Sequence, residues 1–142
     1  MSSTSPRDVS ARDLEQVWTG GDTGAVDALY SAELVDHDSA PGLPSGREGI
    51  KALARDLHAA FTELAFTADV VLAEGEMVAR RWTMRGVHRG PFLGIPPTGK
   101  PVTMTGIDVL RVRDGRIVEM WHTEDVAGVL GQLGALPRPA AA

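Results

Sequence analysis

Apolar residues recur every three or four positions in the first part of the chain and every second position in much of the remainder. Val9, Leu14, Val17 and Trp18 form one helical face, opened by Ser5-Pro6 as N-cap and first-turn pair and closed at Gly20-Gly21. Asp22 caps a second short helix with Val26, Leu29 and Tyr30 inward. Leu34–Asp38 reads as a short extended segment. Ser45-Gly46-Arg47-Glu48 has the form of a capping box, and Ile50, Leu53, Leu57, Ala60 and Phe61 follow at helical spacing. The period then drops to two: Leu64, Phe66, Ala68, Val70 and Leu72 predict a strand that turns at Glu74-Gly75. Met77–His88 predicts the next strand, with Val78, Arg80, Trp82, Met84 and His88 on one face. A Gly- and Pro-rich connection, Arg89–Lys100, leads to two further runs, Val102–Val112 and Arg116–Glu124. Asp125 caps a last helix carrying Val126, Val129, Leu130 and Leu133, closed by Gly134.

The last two runs carry the candidate chemistry. Side chains alternate along a strand, so Met104, Asp108, Leu110 and Val112 share a face, as do Val118, Met120 and His122. Each apolar face thus holds one titratable group. A two-residue Asp114-Gly115 turn would set Asp108 opposite Trp121. A three-residue loop ending in a left-handed Gly115 shifts the parity and faces Asp108 with His122. Only the second register unites Leu110 and Val112 with Val118 and Met120, so the three-residue loop is predicted. On the other face, Arg111 and Glu119 are placed to pair. A carboxylate beside an imidazole on an apolar wall suits proton transfer, because burial and charge shift working pKa values towards neutrality. The same pair also serves as a buried hydrogen bond that only pins two strands.

Composition narrows the classes. The formal net charge is −5 with no basic run, which argues against nucleic acid as partner. The chain has no cysteine, so thiol nucleophiles, thiolate metal sites and disulfides are excluded. No apolar run approaches the roughly 18 residues of a membrane span, and the first residues lack the character of a signal peptide. A cytoplasmic, soluble single domain over 1–142 is expected, with disorder over 1–5 and 137–142.

Other residues carry weaker signals. Asp36, His37 and Asp38 read first as a solvated edge, with Asp36 or His37 turned inward if the strand borders a cavity. His88 and His37 are candidate pocket residues, and Trp82, Met84, Leu110 and Met120 candidate apolar walls, each also explained by core packing. Phe92, Leu93 and Ile95 sit in a loop that would not expose them without reason. Gly94–Lys100 matches seven positions of a phosphate loop, but Pro101 stands where the Ser or Thr belongs, and Pro96 and Pro97 lack N–H groups. That match is accidental. A metal site from His37, His88, His122 and Asp108 has no support in spacing, and none is expected.

Helices followed by antiparallel strands make an α+β chain. The segments Gly94–Lys100 and Arg113–Glu119, with Trp121, Asp125, Gly128 and Gln132-Leu133-Gly134, resemble the SnoaL-like polyketide cyclase family of the NTF2-like superfamily. The resemblance implies a cone, a curved antiparallel sheet and N-terminal helices enclosing a pocket, and a homodimer. It implies an antibiotic-biosynthesis enzyme that needs no cofactor and closes a ring on an aromatic polyketide by an aldol step. In the cyclase pattern a His stands at the position of Asp108 and an Asp at that of His122, so this chain holds the pair in inverted order. Asp108 and His122 are the implied catalytic couple. Alternatives are a polyketide hydroxylase or epoxide hydrolase using the same pair, and a small-molecule-binding domain without turnover.

Overall fold

The computed structural model describes residues 4–136. Helix α1 (Pro6–Arg12) runs directly into a π-helical turn, Asp13–Thr19. Then come α2 (Gly24–Leu29), β1 (Tyr30–Asp36), α3 (Gly46–Ala60), β2 (Phe61–Glu74), β3 (Met77–His88), β4 (Pro101–Arg113), β5 (Arg116–Glu124) and α4 (Val126–Gln132). The strands form one curved, unclosed sheet in the order β1-β5-β4-β3-β2. The helices pack on its inner face, where a core runs from Val9 through Trp82 and Leu110 to Leu133. No helix among the described residues is long and apolar enough to cross a membrane. The expected tail at 137–142, and residues 1–3, lie outside the described residues. Ser5 is an ordered N-cap, its hydroxyl accepting from the Asp8 amide at 3.2 Å.

Several elements differ from the pattern-based expectation, each for a physical reason. The sheet is not wholly antiparallel, because β1 joins β5 in parallel. Tyr30 is buried as expected, but it starts that strand instead of ending α2. Ser45 is the N-cap of α3 by position, yet its side chain makes no capping bond, and Glu48 pairs with Lys51 at 3.1 Å instead. In β2 the period-two run is broken by a bulge at Asp69. Phe66 and Ala68 therefore face inward, while Val70 and Leu72 turn outward, 53% and 67% exposed.

The β4–β5 hairpin is the informative case. Its turn is the two-residue kind, with Arg113 paired to Arg116 and both Asp114 and Gly115 at positive φ (52° and 76°). The expected three-residue loop is absent. A bulge at Val118 supplies the missing residue instead: Val112 pairs with Ile117, and Arg111 with Glu119. Beyond the bulge Asp108 stands opposite His122, as the apolar pattern requires. Ile117 takes the buried position expected of Val118, and Arg111 meets Glu119 at 3.0 Å.

Gly106 makes room for the inner wall. A Cβ there would lie 2.1 Å from the Trp82 ring. We expect Gly106→Ala to push the indole from its place and to destabilise the fold by about 1–3 kcal/mol. Chemical denaturation should show the loss, and tryptophan fluorescence of the folded variant should shift; an unchanged midpoint and spectrum would refute this packing.

Candidate active site

The helices and the inner face of the sheet enclose a cavity of about 210 Å³. Its walls are mostly apolar, formed by Leu14 and Trp18 of the π-helical turn, Ile50, Leu53 and Leu57 of α3, and Phe66, Trp82, Met104 and Met120 of the sheet. Phe66 packs between Trp18 and Trp82, with ring centroids 6.2 and 5.2 Å away. Phe92 and Leu93, from the loop after β3, reach the same space. The apolar residues that looked misplaced in a loop thus cover a pocket. One end is polar: Asp36, Asp38, Asp108, His122 and Glu124 all line it.

Register explains that polar end. Arg80, Asp108 and His122 are paired across β3, β4 and β5 and form one inward row. Arg80 is buried and shares its donors among fixed partners. Nε binds Asp108 Oδ2 at 2.8 Å, Nη2 binds Asp13 Oδ2 at 2.8 Å, and Nη1 reaches the Ser10 carbonyl at 3.0 Å. Asp13 also accepts from Trp18 Nε1 at 3.1 Å. The π-helical turn brings these residues, five apart in sequence, onto one line. Burial pushes the Asp13 carboxyl upward against the pull of Arg80. Burial likewise opposes the charge on Arg80, but Asp108 and Asp13 outweigh it and hold the guanidinium protonated. Asp108 is thereby fixed through Oδ2, and Oδ1 has no hydrogen-bond partner among the described residues.

His122 is held by other carboxylates. Nε2 meets Asp36 Oδ1 at 2.9 Å, and Nδ1 meets Glu124. Its backbone N–H donates to Asp38 Oδ2 at 2.9 Å, and the Asp38 amide donates to Asp36 Oδ1 at 2.9 Å. Burial disfavours the charged ring, yet hydrogen bonds and charge from Asp36 and Glu124 prevail and push its pKa up to about 10. Asp36 is also partly buried, which raises its carboxyl, but the bonds from His122 and Asp38 bring it below the usual carboxylate range. His122 is therefore an imidazolium at neutral pH. Asp108 and His122 are row neighbours, but no hydrogen bond joins them. Each answers to a separate network, which corrects the expectation of a directly coupled acid/base pair.

The other expected site residues divide. Trp82 and Met120 are cavity walls, whereas Met84 and Leu110 are buried in the core and do not reach the cavity. His88 is buried at the start of the loop, where Nδ1 accepts from the Thr98 amide at 3.2 Å and so anchors the connection. His37 points away from the cavity, stacked on Trp121 at 4.8 Å and bonded to Glu119 at 2.7 Å. On this edge strand His37 and Asp38 are exposed, as expected of a solvated edge, while Asp36 turns in and lines the cavity with Asp38 at its rim. Glu124, Arg80 and Asp13 are the groups that sequence reasoning did not single out, and Asp36 entered it only as an alternative to His37. Parity held a signal for three of them: Asp36 shares a face with buried Leu34, Glu124 shares one with His122, and Arg80 is a lone charge on an apolar face. No group of three or more His, Asp or Glu among the described residues could hold a metal.

The chain as a whole is similar to known proteins. The chain is 27% identical over 126 residues to the aklanonic acid methyl ester cyclase DnrD of Streptomyces peucetius, covering 87% of each chain. It is 30% identical over 94 residues to the nogalonic acid methyl ester cyclase of Streptomyces nogalater, covering 66% of this chain and 70% of that one. Among solved structures, IdmH of Streptomyces antibioticus superposes with a TM-score of 0.79 at 36% identity, over 91% of this chain and 98% of its own. The family model for SnoaL-like polyketide cyclases matches residues 8–133, and the chain belongs to that family.

Proposed function

We propose that this protein closes a ring on an aromatic polyketide ester or a similar flat, enolisable carbonyl compound, by proton transfer without a cofactor. The observation that carries this reading is the row at the polar end of the cavity. It holds a carboxylate fixed from behind by a buried arginine, beside an imidazolium fixed by two other carboxylates. Because His122 is already protonated, it is not the base, and that role falls to Asp108 through Oδ1.

The step balances within one molecule. Asp108 takes a proton from the carbon next to the ester carbonyl, and the electrons of that C–H bond become an enolate. The enolate carbon attacks a ketone carbon of the same chain, so a C–C bond forms and the ketone π electrons move to oxygen. That oxygen is protonated to a hydroxyl by the proton that Asp108 took from carbon, which returns Asp108 to its carboxylate form. His122 lowers the energy of both anionic stages through its charge. The apolar walls hold the flat ligand and exclude water, which strengthens that field. The two relatives named as methyl ester cyclases support the substrate class.

Purified protein incubated with aklanonic acid methyl ester or nogalonic acid methyl ester should yield a cyclised product of unchanged mass by liquid chromatography and mass spectrometry. Asp108→Asn should reduce the rate by roughly 10²–10⁴-fold, measured on protein shown by circular dichroism to be folded, because the change also removes one charged partner of buried Arg80. No conversion of either ester, or full activity in the variant, would dismiss the assignment. Wild-type protein that binds either ester but never turns it over would mark a binding domain.

The charge on His122 can be checked directly. In ¹⁵N spectra the ring should remain doubly protonated from pH 6 through pH 9 and titrate near 10. The pKa is raised above the ordinary histidine value of 6.5. The stabilisation from this cluster is therefore complete below about pH 6.5 and is lost as pH rises through the folded value. A ring that titrates near 6.5 would remove the basis for assigning the base.

The outer face of the sheet supports a further part of this reading, a homodimer. Val70 and Ile107 lie in one row of that face, and Leu72 lies in the next. All three are exposed. Light scattering should give twice the chain mass of 15.1 kDa, and Leu72→Lys should shift the mass towards the monomer. A monomeric wild type would exclude the dimer.

A further inference from the structure

The imidazolium poses a problem. Both of its N–H groups are already engaged, Nε2 by Asp36 and Nδ1 by Glu124. A ligand oxygen has no free donor on this ring unless one carboxylate leaves. Arg80 is turned to Asp108, Ser10 and Asp13 and does not line the cavity. No lysine or arginine is among the described residues that line the cavity.

The two carboxylates on His122 are not equally held. The Asp36 side chain is 9% exposed, and Oδ1 accepts from both His122 and the Asp38 amide. Its strand is paired to β5, with Asp36 in register with Met120. The Glu124 side chain is 30% exposed, and its bond to His122 is the one its carboxylate makes among the described residues. It stands at the last position of β5, opposite Gly106, where no facing side chain confines it. Residues two apart share a face, so Glu124 and His122 meet on the cavity side, at the mouth.

We propose that Glu124 occupies an oxyanion site in the empty cavity, and that a ligand's anionic oxygen displaces it to bind His122 Nδ1–H. This rests on the proposed cyclisation, for it names where the enolate oxygen would sit. Glu124 is then a specificity-determining residue. A ligand enters fully only if it brings an oxygen able to replace a carboxylate, either an enolate, a phenolate or a carboxylate. Asp36 remains in place and keeps the ring charged during the exchange.

A binding measurement separates this from turnover. The probes are 2-naphthoate, a flat aromatic carboxylate, and 2-methylnaphthalene, its neutral counterpart, titrated calorimetrically into the full chain. Glu124→Ala should bind 2-naphthoate at least tenfold more tightly than wild type, because the competing carboxylate is gone. Its affinity for 2-methylnaphthalene should change less than threefold. Glu124→Gln, which keeps the volume and an accepting oxygen, should gain less than Glu124→Ala. The His122 Nδ1 resonance should move on addition of 2-naphthoate to Glu124→Ala. Equal affinity of wild type and Glu124→Ala for 2-naphthoate, or equal gains for both probes, would overturn the proposal. Failure to cyclise either methyl ester would instead count against the reaction and leave this site standing.

Discussion

One buried guanidinium organises the inner face of this protein. Arg80 sits in the middle of the sheet and must satisfy its donors without water. It does so with Asp108 from the next strand, Ser10 from the first helix and Asp13 from the π-helical turn that continues it. Leaving a buried ion without its partner costs about 3–5 kcal/mol, so the helix, the sheet and the candidate base are locked together by one requirement. The π-helical turn follows from it, since that turn brings Asp13 and Trp18 to a single carboxylate bond. The charge needed to hold the first helix on the sheet also orients Asp108 at the cavity.

The second polar network is built around the ring of His122 and draws on distant parts of the chain. Asp36 and Asp38 come from the end of β1, and Glu124 from β5 itself. The parallel addition of β1 to β5 brings the first two into range. The two networks meet side by side without a bond between them. One fixes an anion, and the other fixes a cation between two carboxylates.

Much of this was legible in the sequence, because alternation along β4 and β5 carries information about faces. It placed Asp108 and His122 on one wall, and the pairing is as expected. The route was different: the turn is two residues long, and a bulge at Val118 restores the parity. Apolar pattern dictates which faces must unite, but not whether a loop or a bulge achieves it. The same blindness to bulges hid the outward turn of Val70 and Leu72 at Asp69. Partners were harder still. Asp13 and Asp36 reach the site through helix packing and a parallel strand, and neither contact has a local signature. His88 and His37 drew notice as histidines, yet the structure uses one to anchor a loop and the other to stack on an indole outside the cavity.

The bulge at Val118 has a consequence for how this segment tolerates change. With Val118 looped out, Val112 pairs with Ile117 and Arg111 with Glu119, so the extra residue is absorbed without changing which faces meet. Were Val118 drawn into the ladder, Asp108 would stand opposite Trp121 and the ring of His122 would rotate out to the solvent side. Loss of Val118 would instead leave a regular hairpin in which Asp108 still meets His122, so the segment tolerates a one-residue gap at that point.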